Sequence, residues 1–410
     1  MRFTRTIKTI ALTNVVSGFS RYPLWILLAL YFATVRHLSD EDIAIIFLLS
    51  GAASSPFSIF GGRFADRAGR RPLLLGTILA MIAGYGLLFV SVTYGWSIAI
   101  IVIALVSVNV LNSLEFVGIS AVVTDVSSVE QRLDYFSLQR VAGNAGIGAG
   151  LVLAGFSSEF WPGLFFLAPV LGAVVEVILF WGWIPESLTS PEKSTLPPPQ
   201  RHLLRAFRDK RLLAVAVLLP LAALVANQWE TPMMPLYLNG HFGTPIYLVT
   251  VLYAVNCVTV VSLQFLVNRV SKRVGAGIAF SLGLLLYAVS DVVFWMTGNP
   301  LVLAANVVLL TSGENFTTPY SQVILSKIAP EDRRGEYFGV SALFSGVILP
   351  FSPFVGTFML GYFSQSLYWM WAILAGGCVL FAVLFLPVQR WLERSPPPPR
   401  PVPTTALRPT

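Results

Sequence analysis

Four ionisable side chains stand inside long apolar stretches of this 410-residue chain: Arg21, Glu115, Glu230 and Glu314. An ionisable group costs several kcal/mol in hydrocarbon, so each of them is expected to face a partner or a water-filled space. A carboxylate held away from water binds a proton more readily, and it can also bind a cation. We expect Arg21 to neutralise Glu115, which leaves Glu230 and Glu314 as candidates for carrying a proton or binding a cationic ligand. A structural ion pair between helices stays the alternative for any single acid.

Polar residues recur on the same helical faces as these charged groups. Asn14 and Trp25 share a helical face with Arg21, and Thr317 follows Glu314 at helical spacing. Such stripes predict a hydrated space between helices. The residues expected to line this space are Asn14, Trp25, Asn112, Asn227, Trp229 and Thr317.

Composition excludes a water-soluble globule. The chain is 55% hydrophobic and 11% charged, with a mean hydropathy of +0.74, whereas soluble domains have about 25% charged residues. Apolar runs of about 20 residues or more match the thickness of a bilayer crossed by a helix. We therefore expect an all-α membrane protein with twelve transmembrane helices. The predicted spans are 9–35, 42–62, 73–94, 97–122, 134–157, 161–184, 211–238, 245–267, 276–297, 300–325, 337–363 and 366–388.

Positive charge predicts the orientation of these spans. Most of the 27 lysines and arginines fall before the first span, after the even-numbered spans and after the last one. Positive loops remain in the cytoplasm, so both termini are predicted to be cytoplasmic, in the plasma (inner) membrane of a prokaryote. The net charge of +7 then reflects topology and contact with the anionic lipid bilayer, and no nucleic-acid partner is implied.

Two charged motifs occur twice at one offset of 202 residues. The motif Asp66-Arg67-x-x-Arg70-Arg71 returns as Asn268-Arg269-x-x-Lys272-Arg273. The motif Arg132-x-Asp134-Tyr135-Phe136 returns as Arg334-x-Glu336-Tyr337-Phe338. Two matches at the same offset indicate that the chain consists of two like-oriented halves.

The repeat predicts two pseudo-symmetric six-helix bundles, 1–184 and 211–389. A cytoplasmic linker, 185–210, is expected to join them, and the Pro-rich tail, 390–410, is expected to be disordered. Two like-oriented halves can hold a solute at their seam and expose it to either side of the membrane by rocking.

The segment Gly62-Arg63-Phe64-Ala65-Asp66-Arg67-Ala68-Gly69-Arg70-Arg71-Pro72 resembles the signature of the major facilitator superfamily, with Phe64 in the place of a leucine. The resemblance covers residues 1–390 and implies a carrier that works by alternating access. It also implies that Asp66 meets the start of span eleven and helps to hold the cytoplasmic side shut. Topogenic charge and simple helix capping stay the alternatives. The expected gate residues are Gly62, Asp66, Arg67, Gly69, Arg70, Arg71, Arg132, Asp134, Arg334 and Glu336.

Span five carries the motif Gly146-x-x-x-Gly150-Leu151-x-x-Ala154-Gly155. It is similar to the antiporter signature of proton-coupled drug exporters, in which a proline stands where this chain has Leu151 and a glycine where it has Ala154. The resemblance implies export in exchange for protons. Small residues four apart also allow close helix packing without any direction of transport, so that interpretation stays open.

We therefore expect a secondary transporter of a small solute, a monomer that uses protons as the coupling ion and exports amphipathic or cationic compounds. An uptake or symport carrier for a sugar or an organic metabolite is the alternative, and a non-transporting sensor on the same scaffold is another. No enzyme, cofactor or metal site is indicated. No lysine follows a glycine, as a phosphate-binding loop would require, and Cys257 and Cys378 are expected to be apolar filler.

Overall fold

The computed structural model describes residues 4–127, 129–157, 164–187, 207–329 and 334–394, and these ranges contain fourteen α-helices, one short 3₁₀ segment and no strand. Helices α1 to α6 are Arg5–Thr34, Asp40–Ala68, Arg70–Thr93, Ile98–Asp125, Val129–Ser157 and Leu164–Trp183. Helices α7 to α14 are Lys210–Ala226, Met233–Phe242, Ile246–Val274, Ala276–Met296, Pro300–Ile328, Arg334–Ile348, Phe351–Tyr362 and Leu367–Arg394. Most of the predicted linker and tail lies outside the described residues, although α14 continues into the predicted tail as far as Arg394.

Nine helical segments of the described chain are long and apolar enough to cross a membrane. Three further predicted spans correspond to α2, α5 and α11, each of 29 residues. Such a helix is about 44 Å long, which exceeds the roughly 30 Å of hydrocarbon in a bilayer. Together they give twelve spans in the predicted order, and the all-α membrane fold is confirmed.

Two of the predicted spans are interrupted. In the seventh, α7 ends at Ala226, a 3₁₀ turn covers Asn227–Glu230, and α8 begins after Pro232. In the eleventh, α12 ends at Ile348 and α13 begins after Pro350. Proline has no backbone N–H and cannot donate the hydrogen bond that would continue the preceding helix. The chain therefore bends at both prolines.

The loop predicted after span two is nearly absent. Helix α2 runs on to Ala68, and Gly69 alone separates it from α3, with a backbone φ of 100°. Glycine adopts this conformation readily because it has no Cβ. Most of the signature segment is therefore helical, and the chain reverses at a single residue.

Packing divides the helices into two groups. In the first half, α1 packs on α5 and α6, α3 on α4 and α6, and α2 on α4. In the second half, α10 packs on α11 and α14, α9 on α11, and α7 on α12 and α14. The groups meet along a seam, where α5 contacts α9, α2 contacts α13, and α1 contacts α8.

The contact between α1 and α5 depends on two glycines. A side-chain carbon at Gly146 would overlap the backbone carbonyl of Val15, and one at Gly150 would overlap that of Phe19. The two helices therefore touch backbone to backbone, as small residues four apart allow. These two glycines of the antiporter-like motif thus have a structural use in this fold.

Gly150→Ala is expected to destabilise the protein, because the added methyl group must push α5 away from α1. Gly143 on the same helix is the matched control, since a side-chain carbon there meets nothing within 4 Å. Alanine is favoured over glycine in a helix by about 1 kcal/mol. Gly143→Ala should therefore raise the melting temperature in detergent while Gly150→Ala lowers it, and equal shifts would contradict the backbone contact.

Asp209 joins the start of α7 to the start of α12. Its carboxylate accepts hydrogen bonds from the backbone N–H of Arg211 at 2.9 Å and from Tyr337 Oη at 2.6 Å. It also lies 3.3 Å from Arg211 Nη2. Burial pushes the pKa of Asp209 upward, but the hydrogen bonds from Tyr337 and Arg211 outweigh it and hold the pKa below its ordinary value of 3.8.

Asp209→Asn keeps a helix cap but removes the charge. Because the folded-state pKa is the lower one, ionised Asp209 stabilises the fold above the unfolded-state pKa, and this contribution disappears as the pH falls through the folded-state value. Solvent screening limits it to about 0.5 kcal/mol. The wild type should therefore melt at a higher temperature than the variant at neutral pH, and the two should converge in acid. A difference in melting temperature that stayed the same at every pH would contradict this prediction.

Candidate functional site

Arg21 of α1 stands at the centre of a buried polar cluster in the first half. Its guanidinium contacts Glu115 of α4 and Glu176 of α6. It also donates from Nη1 to Asn112 Oδ1 at 3.2 Å, and Asn112 Nδ2 donates to Tyr85 Oη at 3.1 Å. Arg21 and Glu115 are each 6% exposed and Glu176 is 0% exposed. The predicted contact between Arg21 and Glu115 is present, and Glu176, which was not among the predicted site residues, shares the arginine because α6 packs on α1 and α3.

A second polar group lines a cavity of about 260 Å³ between the two halves. Arg140 of α5 lies on one side of this seam cavity, with Glu230 and Glu314 from the second half on the other. Arg140 Nη2 lies 3.1 Å from Glu314 Oε1, and Asn256 Nδ2 donates to Glu314 Oε2 at 3.2 Å. The ion pair thus crosses the seam. The other lining residues are Tyr22, Asn144, Ile147, Asn227, Tyr253, Cys257 and Thr318.

Glu230 is the last residue of the 3₁₀ turn, and it is exposed. It lines the seam cavity and also a second cavity of about 210 Å³, together with Trp25 and Asn109. A third cavity, also of about 210 Å³, shares Asn227 with the seam cavity and is lined by Thr317. The first two cavities are lined by residues of both halves, whereas the third is lined by residues of the second half and adjoins the seam cavity at Asn227.

Comparison with known proteins identifies the family of this molecule. The family model described as Major Facilitator Superfamily matches residues 10–275 and 221–409. The chain belongs to the Major Facilitator Superfamily. Its relatives include the uncharacterized MFS-type transporter YdeE of Escherichia coli (strain K12), 23% identical over 80% of this chain and 84% of the relative. The multidrug resistance protein MdtH of Salmonella paratyphi B is 26% identical over 70% of this chain and 69% of its own length.

Solved structures share the fold of this superfamily member. A crystal structure of the peptide transporter POT in complex with sulfate matches with a TM-score of 0.76 over 95% of both chains, at 15% identity. A crystal structure of a mutant of the nucleoside transporter NupG matches with a TM-score of 0.76 over 93% of this chain and 99% of that chain, at 13% identity. At such identities the likeness shows the fold alone.

Within the superfamily signature, Arg70 and Arg71 contact other residues of the first half. Arg70 Nε lies 3.2 Å from Asp125 Oδ2. The backbone N–H groups of Arg70 and Arg71 donate to the carboxylate of Glu186 at 3.0 and 3.1 Å. These contacts tie α3, which begins after Gly69, to the ends of α4 and α6, and the predicted gate toward α12 stays a prediction. The side chains of the remaining gate residues lie outside the described part of the structure: Gly62, Asp66, Arg67, Arg132, Asp134, Arg334 and Glu336.

The four charged residues that the sequence singles out do not share one space. Glu230 and Glu314 lie in the seam cavity, whereas Arg21 and Glu115 lie inside the first half. Successive residues of a helix point about 100° apart. Tyr22 therefore faces the cavity while Arg21, its neighbour in sequence, faces α4 and α6.

The predicted lining residues divide in the same way. Trp25 lines the second cavity, Asn227 lines the seam cavity, and Thr317 lines the third cavity, inside the second half. Asn112 instead binds Arg21, and Trp229, which is 2% exposed, stacks on Tyr253 with ring centroids 4.4 Å apart. The side chains of Asn112 and Trp229 therefore point into the bundles and lie behind the residues that line the cavities. Asn14 accepts a hydrogen bond from Ser17 through its backbone and is not among the residues that line the three described cavities.

Sequence reasoning missed Arg140, Asn256 and Cys257 as members of the site. Span five was predicted to begin at residue 134, which puts Arg140 near its cytoplasmic end, yet α5 begins at Val129, so Arg140 lies about three turns into the helix. An arginine at that depth indicates a partner. Nothing in the local sequence distinguishes Asn256, and Cys257, which was expected to be apolar filler, forms part of a polar wall.

Arg140 and Glu314 should be energetically coupled. Arg140→Ala removes the cation from Glu314, and a charge left unpaired away from water is costly. With Glu314→Gln already present, the same Arg140→Ala substitution should cost less. We expect a coupling on the order of 1 kcal/mol, because both side chains are partly exposed to the cavity. The measurement is the melting temperature in detergent of the single and double variants.

Arg140→Ala combined with Glu230→Gln is the matched control. Glu230 lines the same cavity, but the described side chains show no hydrogen bond or ion pair between it and Arg140. The effects of these two substitutions should be closer to additive. Equal coupling energies for Arg140 with Glu314 and for Arg140 with Glu230 would contradict a specific pair between Arg140 and Glu314.

Proposed function

We propose that this chain exports amphipathic, cationic compounds across the membrane in exchange for protons. The observation that carries the proposal is the excess of acid in the seam cavity, where Glu230 and Glu314 meet Arg140. Arg140 binds Glu314, so the carboxylate of Glu230 is left for a proton or a cation. Because both would bind the same group, binding of one promotes release of the other, as exchange requires.

The walls of the cavities suit such a compound. Tyr22 and Tyr253 line the seam cavity beside Glu230, and Trp25 and Phe47 line the second cavity. Aromatic faces attract cations and also provide apolar surface. The two spaces of about 260 and 210 Å³ share Glu230, and together they fall within the usual volume of about 300–1,000 Å³ for small-molecule sites.

Export also requires the cavity to open to each side of the membrane in turn. At the end of the molecule away from the termini, the halves are in contact: a side chain at Gly361 would overlap Glu41, and the ring of Phe156 stacks on that of Tyr247 with centroids 6.4 Å apart. The ion pair of Arg140 with Glu314 crosses the same seam nearer its middle. Protonation of Glu314 would weaken that pair and so link proton binding to movement of the halves.

The relatives agree with this proposal without deciding it. The name multidrug resistance protein, given to MdtH of Salmonella, favours export. Uptake or symport of a sugar or an organic metabolite is the alternative, since peptide and nucleoside transporters share the fold. A sensor on the same scaffold would bind its ligand without moving it. We also propose that the protein is a monomer in the inner membrane of a bacterium.

The test uses the full chain in proteoliposomes, with an imposed proton gradient and tetraphenylphosphonium as the probe cation. The wild type should move the probe against its concentration gradient. Glu230→Gln and Glu314→Gln should each reduce this transport about tenfold or more, which corresponds to about 1.4 kcal/mol, because each removes a proton-binding group. Asp291→Asn is the matched control, since Asp291 is a buried acid that contacts Cys378 inside the second half.

Three outcomes distinguish the alternatives. Proton-driven transport that survives in both glutamine variants would show that the cavity acids are not the coupling groups. Counterflow of a sugar or organic acid without transport of the probe would favour the uptake carrier. Binding of a ligand, measured as a rise in melting temperature, without any transport would favour the sensor.

A further inference from the structure

The polar cluster around Arg21 contains more acid than base. Glu115 and Glu176 both contact its single guanidinium. If both carboxylates were ionised, the cluster would carry a net negative charge at residues that are at most 6% exposed. An uncompensated charge in the interior of a membrane protein is costly. One proton bound by the two acids would remove this charge.

Hydrogen bonding within the cluster leads to the same conclusion. Glu176 Oε2 contacts Arg21, whereas Glu176 Oε1 is buried without a hydrogen-bond partner. The carboxyl groups of Glu115 and Glu176 lie side by side, because they contact the two terminal nitrogens, Nη1 and Nη2, of one guanidinium. A buried acceptor without a donor is expensive to maintain. A proton shared by the two carboxyl groups would therefore improve hydrogen bonding as well as charge balance.

The other groups that face the cluster cannot replace this proton. Tyr85 of α3 lies with its ring centre 5.9 Å from the Arg21 guanidinium carbon, and Asn112 of α4 hydrogen-bonds to both residues. Neither side chain carries a positive charge. On α5, which also packs on α1, Arg140 lies in the seam cavity and binds Glu314. Among the described side chains, Arg21 is thus the cation that serves both Glu115 and Glu176.

The cluster lies directly behind the cavities at the seam. On α1, the residues Tyr22 and Trp25 line the second cavity, while Arg21 turns into the bundle. On α4, Asn109 lines the same cavity one turn before Asn112, which binds Arg21. A proton thus has a short route between the cluster and the water of the cavity.

We propose that Glu115 and Glu176, held by Arg21, form a second proton-binding site in which two carboxyl groups share one proton. The site is separate from the acids of the seam cavity. One carboxylate accepts a proton from the water of the cavity and forms an O–H group that donates to the other carboxylate. Removal of the proton returns both groups to carboxylates around one arginine. The site goes beyond the proposed export and does not depend on its substrate or direction.

Infrared spectroscopy of the purified full chain, titrated with alkali, tests this proposal without any transported compound. A protonated carboxyl group has a carbonyl stretching band that a carboxylate lacks. We expect the wild type to show such a band at neutral pH and to lose it in alkali. Glu115→Gln and Glu176→Gln should each remove the same band completely, because the remaining acid then pairs with Arg21 one to one and stays ionised. Asp291→Asn, a change at a buried acid in the other half, should leave this band in place.

Persistence of the band in either single variant would overturn the shared proton, as would its absence from the wild type. Thermal melting provides a second measurement, since Glu176→Gln copies the shape of a protonated carboxyl group. The wild type should lose stability in alkali as the proton leaves, and the variant should not. The proposal would be overturned if the melting temperatures of the wild type and Glu176→Gln changed in parallel over the whole pH range. Failure here and failure of the proposed export are distinguishable, because neither measurement involves transport.

Discussion

A guanidinium inside a bilayer finds little water, so the protein has to supply its partners. Arg21 receives them from three other helices: Glu115 and Asn112 from α4, Glu176 from α6, and the ring of Tyr85 from α3. Each of these helices must turn its polar residue inward, and this requirement constrains how the helices rotate against one another. The first half is thus organised around a charge that lies behind the cavities at the seam.

The second half places its charges at the seam instead. The 3₁₀ turn that ends at Glu230 interrupts the seventh span between α7 and Pro232. Glu230 is exposed there. The offset of 202 residues relates Asn112 of the first half to Glu314 of the second, and Glu176 to Cys378. Equivalent positions of the repeat therefore carry different chemistry, with a cluster buried inside one half and a carboxylate facing the seam in the other. Pseudo-symmetry of the fold does not extend to the charges within it.

Hydropathy and loop charge predict the number and order of the spans because both depend on composition along the chain. They do not determine how each helix is rotated, which depends on packing. For this reason Arg21 and Trp25 were assigned to one polar face, but Trp25 lines a cavity at the seam whereas Arg21 points into the first half. Glu176 was not among the predicted site residues for the same reason. The pairing of Arg140 with Glu314 joins residues 174 positions apart, and a single sequence contains no local sign of such a contact.

The cluster around Arg21 and the ion pair of Arg140 with Glu314 differ in the free energy that their disruption costs. The side chains of Arg21 and Glu115 are each 8% exposed, and a buried pair of this kind costs about 3–5 kcal/mol to disrupt by removal of one partner. The side chains of Arg140 and Glu314 are 29% and 13% exposed, and ion pairs nearer to water are worth about 1 kcal/mol or less. The stronger network lies within one half, where α1 and α5 also touch backbone to backbone at Gly146 and Gly150. The weaker pair lies between the halves, so it contributes less to joining the halves than the cluster around Arg21 contributes to joining the helices of the first half.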